Sequence, residues 1–127
     1  MALYYDLPVY RDTYKLLLKA FAVTQNFPRE YKYTLGQDMK RDAMQLVRSI
    51  YRANRESSKR QEHLGMFLDD LELLKLEIRL CADIKIISVK KLAELSRLLD
   101  CVGKQVTGWR NSSPVKPKAM LSPAITS

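Results

Sequence analysis

The sequence predicts an all-α protein folded as an antiparallel up-down four-helix bundle. Three observations carry this expectation. No proline falls between residues 29 and 113, so long helices are permitted there. Four segments space their apolar residues by three and four, and no convincing strand pattern accompanies them. The breaks between these segments are short, which favours antiparallel neighbours. A chain of 127 residues suits one domain and can bury a core without disulfides or metals. Its 46% hydrophobic and 28% charged residues belong to a globular sequence.

The first helix is expected over about Pro8 to Gln25, capped by Asp6 or Leu7, with Pro8 suited to the first turn. Tyr10, Tyr14, Leu17, Phe21 and Thr24 mark one face, and Val9, Leu16, Ala20 and Val23 a second. Asn26, Phe27 and Pro28 break the chain. The second helix begins near Arg29, or properly at Thr34, and runs to Asn54 or Arg55. Thr34 with Gln37 fits a capping box, and the expected core stripe is Leu35, Met39, Ala43, Leu46 or Val47, Ile50 and Asn54.

Ser58 with Gln61 repeats the capping-box pattern before a third helix that reaches about Lys85. Leu64, Phe67, Leu71, Leu74, Ile78 and Cys81 form its seam. Met66, Leu73, Leu76, Leu80 and Ile84 form a second apolar line on another face. A lone bundle needs about one apolar face per helix, so the second line points to burial against another subunit. Ile84 to Val89 is a short β-like run better read as a helix junction. Ser88 caps a fourth helix, expected to end near Trp109, with Leu92, Leu95, Leu99, Val102, Val106 and Trp109 as its seam. Gly103 and Gly108 mark close packing or fraying. The bundle is thus assigned to residues 1–111, and residues 112–127 read as a disordered basic tail.

The net charge is +8, which favours an anionic partner. Residues 29–56 and 88–111 each carry a net +3, and residues 57–87 carry −1. Arg41, Arg48, Arg52 and Arg55 are spaced by seven, four and three. On a helix they fall within roughly 60° of one another. Lys90, Arg97 and Lys104 are spaced by seven and form a second line. Together the two lines are candidates for a surface that grips phosphates through charge and bidentate guanidinium bonds. The bland reading is a pair of solvated faces with local pairs such as Asp38–Arg41 and Asp42–Arg41. No base-reading signature is present, so recognition would rest on backbone and shape. Tyr31 and Tyr33 lie beside Arg29 and Lys32 and could stack on bases, although closing one end of the bundle is the commoner role.

Enzymatic chemistry finds little support. His63 is the only histidine and stands beside Glu62 without a second catalytic partner in view. Seven residues separate Arg55 from His63, which misses the R-x4–6-H spacing of small helical ribonucleases of the HEPN class. The four glycines are scattered, so there is no phosphate loop, and no metal or cofactor site is expected. Asp69, Asp70, Glu72 and Glu77 read as a solvated acidic face paired with Lys75 and Arg79. Cys81 and Cys101 cannot alone complete a zinc site and are expected to be buried free thiols. Asp6, Arg11, Asp12, Lys15 and Lys19 interrupt any signal-peptide core. No apolar run approaches the ~18 residues of a membrane span. A soluble cytoplasmic protein is expected.

The motif FPREYKYTLGQD at 27–38, followed by AMQLVRSIYRAN through Asn54, resembles a bacterial family of four-helix-bundle proteins. That family includes proteins encoded in intervening sequences of 23S ribosomal RNA genes and accessory variability proteins of diversity-generating retroelements. DLPVY at 6–10 and KQVTGW at 104–109 fit as well, so the resemblance covers about residues 6–110. The ribosomal-insert branch commonly has an NIAEG-like sequence after the second helix. Here Asn54 is followed by Arg55, Glu56, Ser57 and Ser58, which favours the retroelement branch. The resemblance then implies a homopentameric barrel with a strongly basic surface. It implies binding to the element's reverse transcriptase and to template RNA, with cDNA as a further ligand, in support of error-prone cDNA synthesis. The alternative is a structural or RNA-binding protein of the ribosomal-insert type with no retroelement role.

Overall fold

The computed structural model describes residues 3–113. Four long helices make up most of the described residues: α1 (Pro8–Thr24), α3 (Leu35–Arg55), α4 (Arg60–Asp83) and α5 (Val89–Ser112). A single helical turn, α2 (Arg29–Lys32), sits in the first connection. There is no strand among the described residues. The helices form a closed ring in which α1 packs on α3 and α5, and α4 packs on α3 and α5. Contacts between neighbours run in opposite directions along every pair. Tyr4 meets Tyr51 while Phe21 meets Lys40. Likewise Asp12 meets Gln105 while Lys19 meets Glu94. The expected antiparallel bundle is the fold observed.

The seams fall largely where apolar spacing places them. In α4 all six expected seam residues, Leu64 to Cys81, are buried. In α5 Leu95, Leu99, Val102 and Val106 are buried, while Leu92 and Trp109 pack at the margin. In α3 the stripe is Met39, Ala43, Leu46, Ile50 and Ala53, with Leu35, Val47 and Asn54 only half-buried. In α1 Val9, Thr13, Leu16, Leu17 and Ala20 face the core. Tyr14 and Phe21, placed by spacing on an apolar face, are 44% and 43% exposed. The Thr13 hydroxyl reaches the core because it donates to the Val9 carbonyl at 2.7 Å, which satisfies it inside its own helix.

The FPREYKYTLGQD segment is a corner piece. Phe27 is buried as a plug beneath the break, and Pro28 starts the single turn of α2. Gly36 is buried, and a Cβ there would stand 3.3 Å from the Tyr31 carbonyl and 3.4 Å from Phe27. A side chain there would have to push the corner back by a few tenths of an ångström. Neither expected capping box forms. The Thr34 hydroxyl donates backward to the Glu30 carbonyl at 3.1 Å, because residues 29–32 make their own turn. Ser58 lies within a 3-10 turn, Ser57–Lys59, and Gln61 reaches across to the carbonyls of Arg110 and Ser113.

Ser88 does cap α5, its Oγ accepting from the Lys91 amide at 3.0 Å. The β-like run before it is a Schellman turn: Ile86 N–H bonds the Cys81 carbonyl and Lys85 N–H the Ala82 carbonyl. Lys85 takes the left-handed position with φ 65°. Gly103 marks close packing, since a Cβ would stand 3.1 Å from Leu71, whereas Gly108 faces open space. Cys81 is buried, but Cys101 is exposed, which corrects the expectation of two buried thiols. Cys101 lies off the α5 seam, on the side of Asp12 and Gln105. α5 runs through Ser112, and residues 114–127, most of the expected tail, lie outside the described residues.

Candidate nucleic-acid interface

On α3 the core stripe and the arginine line occupy opposite sides of one helix, so the arginines point away from the bundle axis. Arg41, Arg48, Arg52 and Arg55 are all exposed. They are not equivalent. Arg41 is engaged by Asp38 at 3.2 Å and Asp42 at 3.7 Å, the local pairing anticipated as the bland reading. Arg55 donates to the Tyr51 hydroxyl at 2.9 Å and lies 5.9 Å from that ring's centroid. Among the described residues, no carboxylate pairs with Arg48 or Arg52. Of the α3 line, these two guanidinium groups are open to an outside anion.

Lys90, Arg97 and Lys104 are likewise exposed, outward and without an ion pair among the described residues. Lys104 borders an open groove between α4 and α5 that is also lined by Glu72 and Asp100. Those carboxylates weaken its pull on an anion. α3 and α5 stand diagonally across the ring. The two basic lines therefore face opposite ways and do not merge into one surface within a single chain.

The other two corners are apolar. α1 exposes Tyr14, Leu18 and Phe21 beside Arg11 and Lys15. α4 exposes Met66, Leu73, Leu76 and Leu80 of the second apolar line, beside Glu62, Asp69 and Glu72, while Ile84, just past the helix, is half-buried. Leu76 is 64% exposed, an unusual position for a leucine in an otherwise well-packed helix. Around the ring the corners thus alternate between apolar and basic.

Two groups of titratable residues depart from expectation. His63 bonds Glu56 Oε1 at 2.7 Å through Nε2, not its neighbour Glu62, which is exposed. This bond lowers the Glu56 pKa. It closes the α3–α4 connection, as does Arg60, which donates to the Ala53 carbonyl at 2.8 Å and lies 5.5 Å from the Trp109 ring centroid. Asp42 and Glu77, read as solvated, are buried together between α3 and α4. Burial first, and the hydrogen bond to Asp42 second, push the Glu77 pKa up to about 8. As two carboxylates, Asp42 Oδ2 and Glu77 Oε1 would each be buried without a donor. A proton held by Glu77 turns the pair into donor and acceptor. Their signal was in the spacing: Asp42 stands between Met39 and Leu46, and Glu77 between Leu74 and Ile78. Of the rest of the acidic run, Asp69 and Glu72 are exposed, Glu72 on Lys75, whereas Asp70 is half-buried and burial raises its pKa. Among the described residues, no cluster of three or more His, Cys, Asp or Glu could hold a metal.

The chain is thus a four-helix bundle whose corners alternate between basic and apolar. The bAvd-like family model matches residues 9–113. The chain belongs to that family of bacterial accessory variability determinants, as the resemblance at 27–54 implied. No curated protein is similar enough to match. No helix among the described residues is long and apolar enough to cross a membrane.

Proposed function

We propose that this chain is a non-enzymatic accessory protein of a diversity-generating retroelement, working in the cytoplasm. It binds nucleic acid, template RNA and cDNA, through its basic corners, and it binds the element's reverse transcriptase in support of mutagenic cDNA synthesis. Family membership supports the accessory role. The observation that carries nucleic-acid binding is the pair Arg48 and Arg52, outward on α3 with no carboxylate partner among the described residues. Such groups release counterions when they meet phosphates, so affinity falls with salt.

Homo-oligomerisation, to the pentamer implied by the resemblance, is part of this proposal. The apolar patch of Leu18 and Phe21 on α1 and the apolar face of α4 support it. One is flanked by Arg11 and Lys15 and the other by Glu62 and Asp69, so the two suit a head-to-tail contact between copies.

The test is a salt titration of RNA binding by the full chain and by Arg48→Glu/Arg52→Glu. The variant is expected to bind at least roughly tenfold more weakly, with a salt slope shallower by about 1–2. Equal binding by that variant removes the proposed site. Co-purification with the reverse transcriptase of the same element tests the second partner. Light scattering of wild type and Leu76→Glu tests assembly, and a wild-type monomer at micromolar concentration refutes it.

A further inference from the structure

The α3 arginine corner adjoins a run of tyrosines drawn from three elements. Tyr4, in the 3-10 turn Tyr4–Asp6, is its hub. Its ring meets Tyr51 edge-on at 5.0 Å, Tyr10 at 5.2 Å and Tyr5 at 5.3 Å. Tyr10 in turn lies 6.1 Å from Tyr14 at an interplanar angle of 13°. Residues distant in sequence thus bring five rings into one connected group. Buried rings would need no further account, but three of these are open: Tyr5 is 50% exposed, Tyr14 44% and Tyr51 37%. The hub already holds the turn against the bundle, so the outer rings are not needed for that purpose.

Arginines are interleaved with this group. Arg48 and Arg55 stand three residues before and four after Tyr51, on the same side of α3. Arg55 holds the Tyr51 hydroxyl, which fixes that ring on the side of α3 that also carries Arg48. Asp6 is the one exposed carboxylate in the tyrosine-bearing turn. Tyr14 lies nearly parallel to Tyr10, so a flat ring laid on its outer face would extend a stack already begun.

Duplex nucleic acid offers phosphates but keeps its base faces covered. Single strands offer both, and proteins that bind them pair a cationic groove with aromatic platforms. We propose that the corner formed by Tyr5, Tyr14, Tyr51, Arg48 and Arg52 binds single-stranded nucleic acid, with unpaired bases on the open tyrosine rings and phosphates on the arginines. This rests on the nucleic-acid reading above and adds the class of ligand. It also assigns the tyrosines, which carry no charge, a share of the affinity that salt does not screen.

The experiment compares a labelled oligouridine with an RNA duplex of equal length, bound to the full chain, to Tyr5→Leu/Tyr14→Leu and to Tyr5→Phe/Tyr14→Phe. All are measured by anisotropy at two salt concentrations after a thermal melt confirms folding. Both positions are exposed, so the fold tolerates these changes. The leucine variant is expected to lose roughly tenfold or more in single-strand affinity. Its duplex affinity should stay within about twofold and its salt slope unchanged, since no charge is removed. The phenylalanine variant keeps the rings and retains binding. Equal loss on both ligands, or no loss on the single strand, overturns the inference and leaves the arginine reading standing. If Arg48→Glu/Arg52→Glu also binds like wild type, the nucleic-acid reading fails as well.

Discussion

Replacing Glu77 with glutamine should stabilise the protein at neutral and alkaline pH. Glu77 ordinarily titrates near 4.5, and in the fold it titrates at about 8. The folded state therefore holds a proton that the unfolded chain gives up between those values. Stability falls with rising pH wherever the folded state binds the extra proton. It is unaffected by this group below pH 4.5, declines through the interval and levels off above about 8. Each pH unit costs about 1.4 kcal/mol, so the interval is worth on the order of 5 kcal/mol at most. Glutamine keeps a donor for the Asp42 carboxylate, which Arg41 also approaches at 3.7 Å, and removes the ionisation. The assay is urea unfolding of both proteins at unit steps from pH 5 to 9. Other groups titrate in both proteins, so the difference in midpoint isolates Glu77. That difference should grow with pH in favour of the variant and reach a few kcal/mol by pH 8. A constant difference, or a less stable variant at pH 8, would refute the shared proton.

Three further outcomes are expected. Lys85→Gly should raise stability by about 0.5–1 kcal/mol, since glycine accepts the left-handed conformation without a Cβ clash, less its larger entropy when unfolded; thermal melts decide this. Ser88→Ala should cost about 1 kcal/mol because it leaves the Lys91 amide uncapped, whereas Thr34→Ala should cost less, its hydroxyl being no cap; denaturant melts of the two variants make the comparison. Lys19 and Lys91 hold the Glu94 carboxyl at a pKa of about 2. Its contribution is therefore present above pH 4.5 and lost as pH falls toward 2, so in an acid titration Glu94→Gln should be less sensitive across that window.

The four helices were legible because a buried face must recur at three and four residues, and nothing in this chain interrupts that recurrence. The caps were less legible. A threonine or serine followed by glutamine satisfies the pattern at both Thr34 and Ser58, yet whether a hydroxyl turns forward depends on the chain before it. Ring order left no trace in periodicity, which says that a helix has an inner face but not which neighbour it meets. For that reason the arginine line on α3 and the lysine line on α5 looked like parts of one surface. Tyr4, Tyr10 and Tyr51 were scattered letters until the chain folded. Charge counting also treated Asp42 and Glu77 as solvated because a carboxyl looks the same in sequence whether or not it keeps its proton.

The diagonal placement of α3 and α5 has a consequence for stoichiometry. Two basic corners set back to back cannot share one straight ligand, and neither blocks the other. One chain would then tether two polyanion segments, holding them a bundle's width apart. The second segment would bind at the effective concentration set by whatever joins it to the first. Removing either corner alone should weaken bridging far more than simple binding.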